Sequence, residues 1–210
     1  MKDEIARMDR PELTFIPEVG ALVRKHYEDA NVILEYGSGG STVMASEMLG
    51  KTIYSVESSR VWTKMMRNWF EQEQPVSMPT MQHVNIGATG KWGTPKDGSA
   101  FQRYHLYPLS IWDSEDFKHP DVILVDGRFR VACALTAMLR CTKKTTLLFD
   151  DYEGRKGYHV IEDFLEKEEV VGNMARFTVK KKAPPRDQMT KLIGMFAQHC
   201  EGLMAYLSWL

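Results

Sequence analysis

The fold of this chain is decided by the stretch Val32-Ile33-Leu34-Glu35-Tyr36-Gly37-Ser38-Gly39-Gly40-Ser41-Thr42. Its first five residues form a short, mostly apolar run that stops at a glycine, which is typical of a buried β-strand. Apolar residues then recur at helical spacing over residues 41–49 and end before Gly50, so a helix is predicted directly after the glycines. A strand, a glycine-rich turn and a helix in this order predict the first half of a βαβ unit.

The same alternation of short apolar runs and helical stretches continues along the chain. Further strands are predicted at residues 52–56, 82–86, 122–125 and 145–149, and as two short strands within residues 170–180 that turn at Gly172-Asn173. Further helices are predicted from residue 58 or 59 through residue 70, over 131–139 and over 189–197. Strands that alternate with helices form parallel sheets. We therefore predict an α/β fold of the Rossmann-like, doubly wound type, with a mostly parallel, seven-stranded sheet and helices on both faces.

The length of the chain predicts one domain, and its net charge argues against binding to nucleic acid or to an anionic membrane through bulk electrostatics. The 210 residues correspond to a single domain over residues 1–210, with its core at about 30–180. The formal net charge is −1, so bulk electrostatics gives no attraction to nucleic acid or to an anionic membrane surface. The oligomeric state stays open between a monomer and a homo-oligomer.

The cysteines and the N-terminal sequence predict the cellular compartment. Cys133, Cys141 and Cys200 form no CxxC pair and have no ligand spacing with a pair of histidines, which is typical of reduced thiols in the cytosol. The N-terminal decapeptide MKDEIARMDR lacks the apolar stretch of a signal peptide. No window of the sequence approaches the ~20 apolar residues of a membrane span. The expected localisation is cytoplasmic.

The glycines of the predicted turn allow a ligand to approach the backbone closely, because Gly37, Gly39 and Gly40 have no Cβ atom. The sixth position of the motif is Thr42 rather than glycine, which departs from the dinucleotide-binding fingerprint. The carboxylate of Glu35 would repel a pyrophosphate, but it can receive the cationic amine of an amino acid, directly or through water. The motif therefore favours a ligand that contains an amino acid. A tight strand–helix turn without a ligand is the alternative interpretation.

Glu57 lies at the end of the second predicted strand, about twenty residues after the glycines. A carboxylate at this position accepts hydrogen bonds from both hydroxyl groups of a ribose. On its own, Glu57 is interpreted as a solvated glutamate at a strand end. Together with the glycine turn, it indicates a nucleoside-binding site.

The spacing Glu35-x-Gly37-x-Gly39-x-Ser41, followed by Glu57 and Asp126-Gly127, resembles the motifs of class I S-adenosylmethionine-dependent methyltransferases in their usual order. The resemblance covers residues 32–151. It implies that the cofactor is S-adenosylmethionine, that the glycine turn holds its methionine part, and that the loop after the third strand lies against adenine. The cofactor-binding residues that it implies are Glu35, Gly37, Ser38, Gly39, Gly40, Ser41, Thr42, Glu57, Gly87, Ala88, Thr89 and Asp126.

Aspartates follow the fourth and fifth predicted strands. Asp126 comes after the fourth strand, and Asp150 and Asp151 come after the fifth. Neighbouring strands lie about 5 Å apart, so these carboxylates can converge on one divalent cation. The arrangement resembles metal-dependent O-methyltransferases of small molecules, including those that methylate sugars of macrolide and aminocoumarin antibiotics. That resemblance implies a Mg²⁺ ion that holds vicinal oxygens of the acceptor and lowers the pKa of its hydroxyl group.

Arg128 stands where some of these enzymes have an acidic base. A guanidinium cannot act as a base at neutral pH. Two interpretations stay open: Arg128 pairs with Asp126 or Asp150 in the place of the metal, or it binds an acidic substrate through two hydrogen bonds. Arg130 lies in the first turn of the next predicted helix and is expected to form an ion pair at the surface.

The acceptor side of the site is predicted from residues near the same strand ends. Asp126 and His159 are the candidate catalytic residues, with His159 as a general base, and Arg128 and Tyr158 are the candidate substrate contacts. Residues 87–119 form a long irregular segment on the substrate side. Its aromatic residues either wall the acceptor pocket or form a small core of their own. They are Trp92, Tyr104, Tyr107 and Trp112.

The function predicted from these residues is in-line transfer of a methyl group from S-adenosylmethionine to an oxygen or nitrogen atom of a small-molecule acceptor. Catalysis is expected to come mostly from positioning. A non-catalytic cofactor-binding module and an interaction module are alternatives, because the fold alone does not decide the function. A nicotinamide-dependent oxidoreductase shares the fold, but it would require a third glycine where Thr42 stands.

Overall fold

The computed structural model describes residues 8–197, which form one seven-stranded sheet with helices. The strands are β1 Val32–Tyr36, β2 Thr52–Glu57, β3 Thr80–His83, β4 Val122–Val125, β5 Thr145–Phe149, β6 Lys167–Val171 and β7 Met174–Val179. The α-helices are α1 Pro17–Asp29, α2 Gly40–Ser46, α3 Arg60–Glu73, α4 Leu106–Leu109, α5 Arg130–Arg140 and α6 Met189–Gly194. Short 3₁₀ segments lie at Lys91–Gly93, Phe101–Arg103, Ser110–Asp113, Lys156–Asp163, Arg186–Gln188 and Met195–Ala197.

The sheet has the strand order β3-β2-β1-β4-β5-β7-β6, in which β1 to β5 run parallel. Strand β7 runs antiparallel to β5, and β6 pairs with β7 as a hairpin that turns at Gly172-Asn173. The prediction of a doubly wound, mostly parallel, seven-stranded sheet is confirmed. The strand order reverses between β1 and β4, and ligands of such sheets bind beyond the carboxyl ends of the strands at this point.

The register of the central strands places their carboxyl ends at one rim of the sheet. Tyr36 of β1 pairs with Val56 of β2 and with Val125 of β4, and Val125 pairs with Phe149 of β5. The residues that directly follow these four positions are therefore neighbours, although they are far apart in the sequence. They are Gly37, Glu57, Asp126 and Asp150.

Both faces of the sheet are covered, because alternate residues of a strand point to opposite sides. On one face, side chains of the central strands form a buried cluster with α1 and α2. On the other face, they form a larger cluster with α5 and the segment that leads into β4. In β1, Ile33 belongs to the first cluster and Leu34 to the second. The prediction of helices on both faces is confirmed.

The segment 87–119 is packed into the core over much of its length. It contains α4 and three 3₁₀ segments. Three of its aromatic residues are buried in the same cluster as α5: Tyr104, Tyr107 and Trp112. The Tyr107 hydroxyl donates to the backbone oxygen of Val56 over 3.1 Å, which fastens the segment to β2. Of the two interpretations of these aromatics, packing in a core holds for these three, but Tyr107 also lines the large cleft of the structure, as the exposed Trp92 does.

Several elements differ from the prediction: β6 begins at Lys167, before the predicted range, α4 was not predicted, and α6 ends at Gly194 rather than at residue 197. Strand β3 begins at Thr80, two residues before the predicted start, and ends at His83, three residues before the predicted end. Helix α2 ends at Ser46 rather than at residue 49. Helix α1, which begins with Pro17 in its first turn, was not predicted. It buries Val19, Val23 and Tyr27 and completes one covered face of the sheet.

The thiols of Cys133 and Cys141 are buried, and neither forms a disulfide with another described residue. The third cysteine, Cys200, lies outside the described residues. Among residues 8–197, no helix has the length and the apolar character needed to cross a membrane.

Candidate active site

A cleft of about 1090 Å³ opens at the rim where the parallel strands end. The predicted site residues that line it are Gly37, Ser38, Gly39, Gly40, Ser41, Glu57, Asp126, Arg128, Asp150 and Asp151. Small-molecule sites in proteins usually have volumes of roughly 300–1,000 Å³. The cleft therefore has room for a nucleoside-containing ligand and a second small molecule beside it.

The glycine turn is held by close backbone contacts on two sides. Gly37 has a φ of +102°, and a Cβ atom at this position would lie 2.8 Å from the backbone nitrogen of Gly127. A Cβ atom on Gly40 would collide with the backbone oxygen of Glu12. The segment 11–16 thus packs directly on the turn and also lines the cleft, which the sequence did not predict. Glycine is required at both positions by the protein's own backbone.

Glu35 lies beneath the glycine turn and does not face the cleft. Its carboxylate is buried, and it accepts hydrogen bonds from the Tyr27 hydroxyl over 2.6 Å and from the Thr42 hydroxyl over 2.5 Å. Burial raises the pKa of Glu35, and these hydrogen bonds oppose the rise. Neither Glu35 nor Thr42 is among the described residues that line the cleft. Their contact with the cofactor, directly or through water, stays a prediction. Thr42 also accepts from the Gly39 N–H over 3.0 Å, so in this structure the pair supports the turn.

Glu57 ends β2 with its two carboxylate oxygens in different surroundings. Oε1 accepts hydrogen bonds from the backbone N–H groups of Ser58 and Ser59, each over 2.7 Å. Oε2 accepts a longer hydrogen bond of 3.4 Å from the backbone N–H of Ser38 in the glycine turn. Since Oε2 accepts only this one long hydrogen bond among the described residues, it keeps lone-pair capacity. Glu57 lines the cleft, so the hydroxyl groups of a ligand can use that capacity.

The end of the cleft beside Glu57 is formed by residues other than those predicted. Gly87, Ala88 and Thr89 are not among the described residues that line the cleft, whereas Gly90, Trp92 and Gly93 are. The Ser58 hydroxyl donates to the backbone oxygen of Gly93 over 3.0 Å and fixes this loop against the end of β2. The Trp92 backbone has a φ of +59°, and its side chain is 75% exposed. The contact of Gly87, Ala88 and Thr89 with adenine stays a prediction, and the part of this loop that lines the cleft is the part that carries Trp92.

Arg130 lies at the point where Asp126, Asp150 and Asp151 converge. Its guanidinium is 3.1 Å from an oxygen of Asp126, 3.4 Å from one of Asp150 and 3.1 Å from one of Asp151. Only 4% of the Arg130 side chain is exposed. The prediction of a surface ion pair is wrong, because the first turn of α5 places this side chain in the gap between the ends of β4 and β5.

The three aspartates do not fit a divalent cation while Arg130 is present. Each of them has a carboxylate oxygen paired with the guanidinium, which occupies the point on which a metal would have to be centred. In the part of the chain that the structure describes, no group of three or more His, Cys, Asp or Glu side chains is arranged to hold a metal. The expectation of Mg²⁺ at these residues finds no support in the arrangement.

Arg128 lines the cleft but does not join this cluster. Its Nη1 donates to the Thr94 hydroxyl over 3.3 Å, and its backbone N–H donates to the Tyr107 hydroxyl over 3.4 Å. Its Nε is buried without a hydrogen-bond partner among the described residues. The prediction that Arg128 takes the place of the metal is wrong, because Arg130 does so. Binding of an acidic ligand by Arg128 stays a prediction.

Comparison with known proteins identifies the family. A methyltransferase-like protein from Silicibacter pomeroyi is 45% identical to this chain, with a TM-score of 0.85, and the match covers 90% of this chain and 98% of that protein. The chain belongs to the class I S-adenosylmethionine-dependent methyltransferase superfamily. No protein-family model matches the chain, and no curated protein does.

Two further members of the superfamily have a similar fold at low identity. The O-methyltransferase TomG from Streptomyces achromogenes, in complex with S-adenosylmethionine, is 12% identical with a TM-score of 0.52, over 78% of each chain. An S-adenosylmethionine-dependent O-methyltransferase from Thermotoga maritima is 9% identical with a TM-score of 0.53, over 88% of this chain and 72% of that one. These likenesses support the fold of the superfamily and nothing finer.

In this member of the superfamily, Asp126 combines a buried position with access to the cleft. About a third of its side chain, 31%, is exposed. Burial raises the pKa of Asp126 to about 8 against the opposing effect of Arg130, and the neighbouring carboxylate of Asp150 adds to the rise. A carboxylate with a raised pKa that lies in a cleft is a candidate for proton transfer.

Tyr158 and His159, the predicted substrate contact and general base of this member of the superfamily, are not among the described residues that line the cleft. The Tyr158 ring is buried with its centroid 5.1 Å from that of Phe149. The His159 ring stacks on Tyr152 at 4.7 Å, and its Nε2 lies 3.2 Å from the backbone oxygen of Tyr152. The roles of Tyr158 and His159 as substrate contact and general base stay predictions. In this structure the 3₁₀ segment Lys156–Asp163 packs the Tyr158 ring in the core and lays the half-buried His159 ring on Tyr152.

Several cleft residues of this superfamily member were missed by the sequence-based prediction. They are the segment 11–16, Trp62, Arg130, Arg155, Gly172 and Asn173. No local signal in the sequence marked Arg130, because Asp126 precedes α5, and only the turn between β4 and α5 brings the two side chains together. Arg155 follows Asp151 by four residues and pairs with it over 2.8 Å. The segment 11–16 also carries no local signal.

Proposed function

We propose that the chain binds S-adenosylmethionine in the cleft and transfers its methyl group to an oxygen or nitrogen atom of a small-molecule acceptor. The observation that carries the proposal is that the glycine turn, Glu57 and Asp126 meet in one cleft of about 1090 Å³. Membership of the superfamily supports the choice of cofactor. The complex of TomG with S-adenosylmethionine, which has the same fold, is in agreement with it.

The residues of the cleft fit this cofactor at three points. Oε2 of Glu57 is placed to accept hydrogen bonds from the ribose hydroxyls. A Cβ atom on Gly39 would meet nothing within 4 Å, so the turn leaves open space for the methionine part. The exposed ring of Trp92, in the loop fixed to Ser58, offers a flat apolar surface to the adenine. When bound, S-adenosylmethionine supplies a methyl group on a sulfonium, from which a nucleophile can displace it.

Asp126 is the residue that we assign to the proton of the acceptor. Its carboxylate faces the cleft and is placed to accept a hydrogen bond from an O–H or N–H group of the acceptor. In its ionised form, which predominates above its pKa of about 8, the carboxylate takes up that proton as the acceptor atom forms its bond to the methyl group. Arg130 holds the direction of the carboxylate through the 3.1 Å ion pair. The rest of the rate enhancement comes from positioning of the two ligands.

Arg128 is our candidate for a contact with an acidic group of the bound ligands. It lines the cleft, and no described carboxylate forms an ion pair with it. Its buried Nε lacks a partner among the described residues. An arginine in these surroundings favours a ligand with a carboxylate, because a guanidinium binds that group through two parallel hydrogen bonds.

Glu57→Gln tests the assignment of the ribose. The substitution is expected to weaken the binding of S-adenosylhomocysteine about 10- to 100-fold, because hydrogen bonds to a charged acceptor contribute roughly 1.5–3 kcal/mol. The amide oxygen of glutamine can still accept from the backbone N–H groups of Ser58 and Ser59. Calorimetric titrations with adenosine and with 2′,3′-dideoxyadenosine complete a thermodynamic cycle. The loss should be present for adenosine and absent for the dideoxy nucleoside, which lacks both hydroxyl groups.

Glu71→Gln is the matched control, because Glu71 is exposed on α3 and is not among the described residues that line the cleft. It is expected to leave all three affinities unchanged. If Glu57→Gln weakened the two nucleosides equally, Glu57 would act on the shape of the loop and not on the ribose, and the assignment would be wrong.

A further inference from the structure

The cleft continues past Asp126 to an end that lies away from Glu57. The strand order places β2 on one side of β1 and β4, and it places β5 and the turn between β6 and β7 on the other. The Ile16 side chain closes this end, because a Cβ atom on Gly172 of that turn would lie 2.7 Å from it. With the cofactor assigned to the glycine turn and Glu57, the space left for the acceptor is at this end. This acceptor end is lined by Ile16, Asp150, Asp151, Arg155, Gly172 and Asn173.

The guanidinium of Arg130 has no N–H group left for a molecule bound at the acceptor end. Its nitrogens donate to three backbone oxygens, those of Asp126, Gly127 and Asp150. They also pair with one carboxylate oxygen from each of Asp126, Asp150 and Asp151. A guanidinium has five N–H groups, and six acceptor atoms surround this one. Arg130 therefore neutralises part of the carboxylate charge, but it cannot donate to a ligand.

The carboxylates of the acceptor end are only partly neutralised. Oδ1 of Asp150 is buried without a hydrogen-bond partner among the described residues, and the side chain as a whole is about nine-tenths buried. Asp126 and Asp151 each keep about a third of their side chain exposed, and both line the cleft. This end of the cleft therefore offers negative charge and hydrogen-bond acceptors to a ligand.

The two other guanidiniums of the cleft add little to this neutralisation. Arg155 pairs with Asp151 at the solvent side, where about half of its side chain is exposed, so water screens its charge. Arg128 donates from Nη1 to the Thr94 hydroxyl, in the loop that is fixed against the end of β2. Neither of them supplies a buried donor to the acceptor end.

Transfer to oxygen and transfer to nitrogen place opposite charges on the acceptor. A hydroxyl group that has lost its proton attacks as an anion, and an N–H donor or a metal cation beside the oxygen stabilises it. An amine attacks as a neutral group and gains a positive charge as its new bond forms. Carboxylates stabilise a positive charge and repel a negative one. Because the Arg130 guanidinium has no free N–H, the acceptor end favours the amine.

We propose that the acceptor is a primary amine with an apolar body, and that the chain methylates its nitrogen. The ammonium group lies beside Asp126 and Asp151, whose carboxylates accept its hydrogen bonds. The apolar body lies against Ile16, which lines the cleft and is half exposed. This inference rests on the proposed function and decides between the oxygen and nitrogen atoms that the function leaves open.

The transfer to nitrogen balances in atoms and in charge. The ammonium group gives one proton to the ionised carboxylate of Asp126, and the electron pair freed on nitrogen forms the bond to the methyl carbon. The carbon–sulfur bond breaks and its electron pair stays on sulfur, so the sulfonium becomes a neutral thioether. The product is a methylammonium group with one positive charge, beside the carboxylates of Asp150 and Asp151.

Benzylamine and benzyl alcohol test the preference, because they differ in the group that would receive the methyl and share the rest. Saturation-transfer nuclear magnetic resonance gives their dissociation constants for the full chain saturated with S-adenosylhomocysteine. At about pH 8.5 the Asp126 carboxyl group, whose pKa burial raises to about 8, is mostly ionised, and an amine with a pKa of about 10 is protonated. Benzylamine is expected to bind about 10- to 100-fold more tightly than benzyl alcohol, because hydrogen bonds between charged groups are the stronger ones.

Asp126→Asn should remove most of this difference, because it should weaken benzylamine binding about 10-fold or more and leave benzyl alcohol binding nearly unchanged. Asp113→Asn is the matched control and should keep the preference of the wild-type chain, since Asp113 is exposed and is not among the described residues that line the cleft. Ile16→Ala should weaken the binding of both probes by the same factor, because it removes an apolar contact that they share. The comparison of the two probes on the wild-type chain does not depend on the folding of any variant.

An absence of benzylamine binding, or equal affinities of the wild-type chain for the two probes, would overturn the proposal. So would transfer of a tritiated methyl group from S-adenosylmethionine to the hydroxyl of benzyl alcohol in preference to the nitrogen of benzylamine. Calorimetric titration of the same sample with S-adenosylhomocysteine separates the two conclusions. No binding of S-adenosylhomocysteine would refute the proposed function, whereas its binding together with equal affinities for the two probes would refute the nitrogen acceptor alone.

Discussion

Asp126→Asn is expected to slow methyl transfer about 100- to 10,000-fold, with a much smaller effect on the affinity for S-adenosylhomocysteine, because general base catalysis contributes on that order. Asparagine keeps the size of the side chain and an oxygen that Arg130 can bind, but it cannot take up a proton. The measurement is transfer of a tritiated methyl group from S-adenosylmethionine to an acceptor that the wild-type chain modifies in a screen of phenols, amines and hydroxy acids. A variant with the wild-type rate would contradict the role of Asp126.

The stability of the wild-type chain relative to Asp126→Asn should depend on pH in a defined direction. Burial raises the pKa of Asp126 to about 8 in the folded chain, whereas it is about 4 in an unfolded chain. The folded state therefore binds more protons between these values, and its stability falls as the pH rises from about 4 to about 8. Asparagine does not titrate. The melting temperature of Asp126→Asn minus that of the wild-type chain should thus increase over this range.

Asp113→Asn is the control for this pH dependence, because Asp113 lies outside the cleft and 65% of its side chain is exposed. Its substitution should show no increase of that kind. If the melting temperature of Asp126→Asn minus that of the wild-type chain stays constant or decreases as the pH rises, the Asp126 carboxyl group is ionised over the whole range. That result would mean that the ion pair with Arg130 outweighs the effect of burial.

Gly37→Ala is expected to destabilise the fold by roughly 2–6 kcal/mol, because two costs add. The φ of +102° lies in the left-handed region, where a residue with a Cβ atom is strained by about 1–3 kcal/mol. The new Cβ atom would also lie 2.8 Å from the backbone nitrogen and 2.9 Å from the Cα atom of Gly127, and such overpacking costs about 1–3 kcal/mol. For a chain of this size, each kcal/mol lowers the melting temperature by about 2–4 °C.

Gly39→Ala is the matched control in the same turn. A Cβ atom on Gly39 would meet nothing within 4 Å, and its φ of 176° is extended backbone that alanine adopts without strain. The loss of glycine before α2 should cost less than about 1 kcal/mol. Differential scanning calorimetry of both variants checks the difference. Equal melting temperatures would mean that the contact between the ends of β1 and β4 is not the reason for glycine at position 37.

The strands of the sheet could be predicted because each has a local pattern. Residues 122–125 and 145–149 are continuous apolar runs, and both strands are found at these bounds. Helix α3 begins after Ser59, whose hydroxyl accepts from the Trp62 N–H over 3.3 Å, as a capping serine predicts. Since parallel strands end at one rim, the meeting of Gly37, Glu57 and Asp126 also followed from the sequence.

The side chains on the loops could not be predicted in the same way, because their direction depends on tertiary packing. Arg128 and Arg130 are two residues apart, and only the direction of the first turn of α5 decides that Arg130 enters the gap between the aspartates. Tyr158 and His159 follow the correct strand, but the 3₁₀ segment Lys156–Asp163 turns the Tyr158 ring into the core and the His159 ring onto Tyr152. Glu35 has the spacing of a ligand contact, whereas burial of the strand end makes it a support of the turn.

The central claim is that the cleft binds S-adenosylmethionine, and the most direct test is calorimetric titration of the wild-type chain with S-adenosylhomocysteine, with Mg²⁺ and with EDTA. The geometry of Glu57 and the glycine turn predicts micromolar binding at one site per chain, and Arg130 predicts the same affinity in both buffers. An absence of both heat and thermal shift would contradict the cofactor site, and tighter binding with Mg²⁺ would contradict Arg130 as the cation of the site.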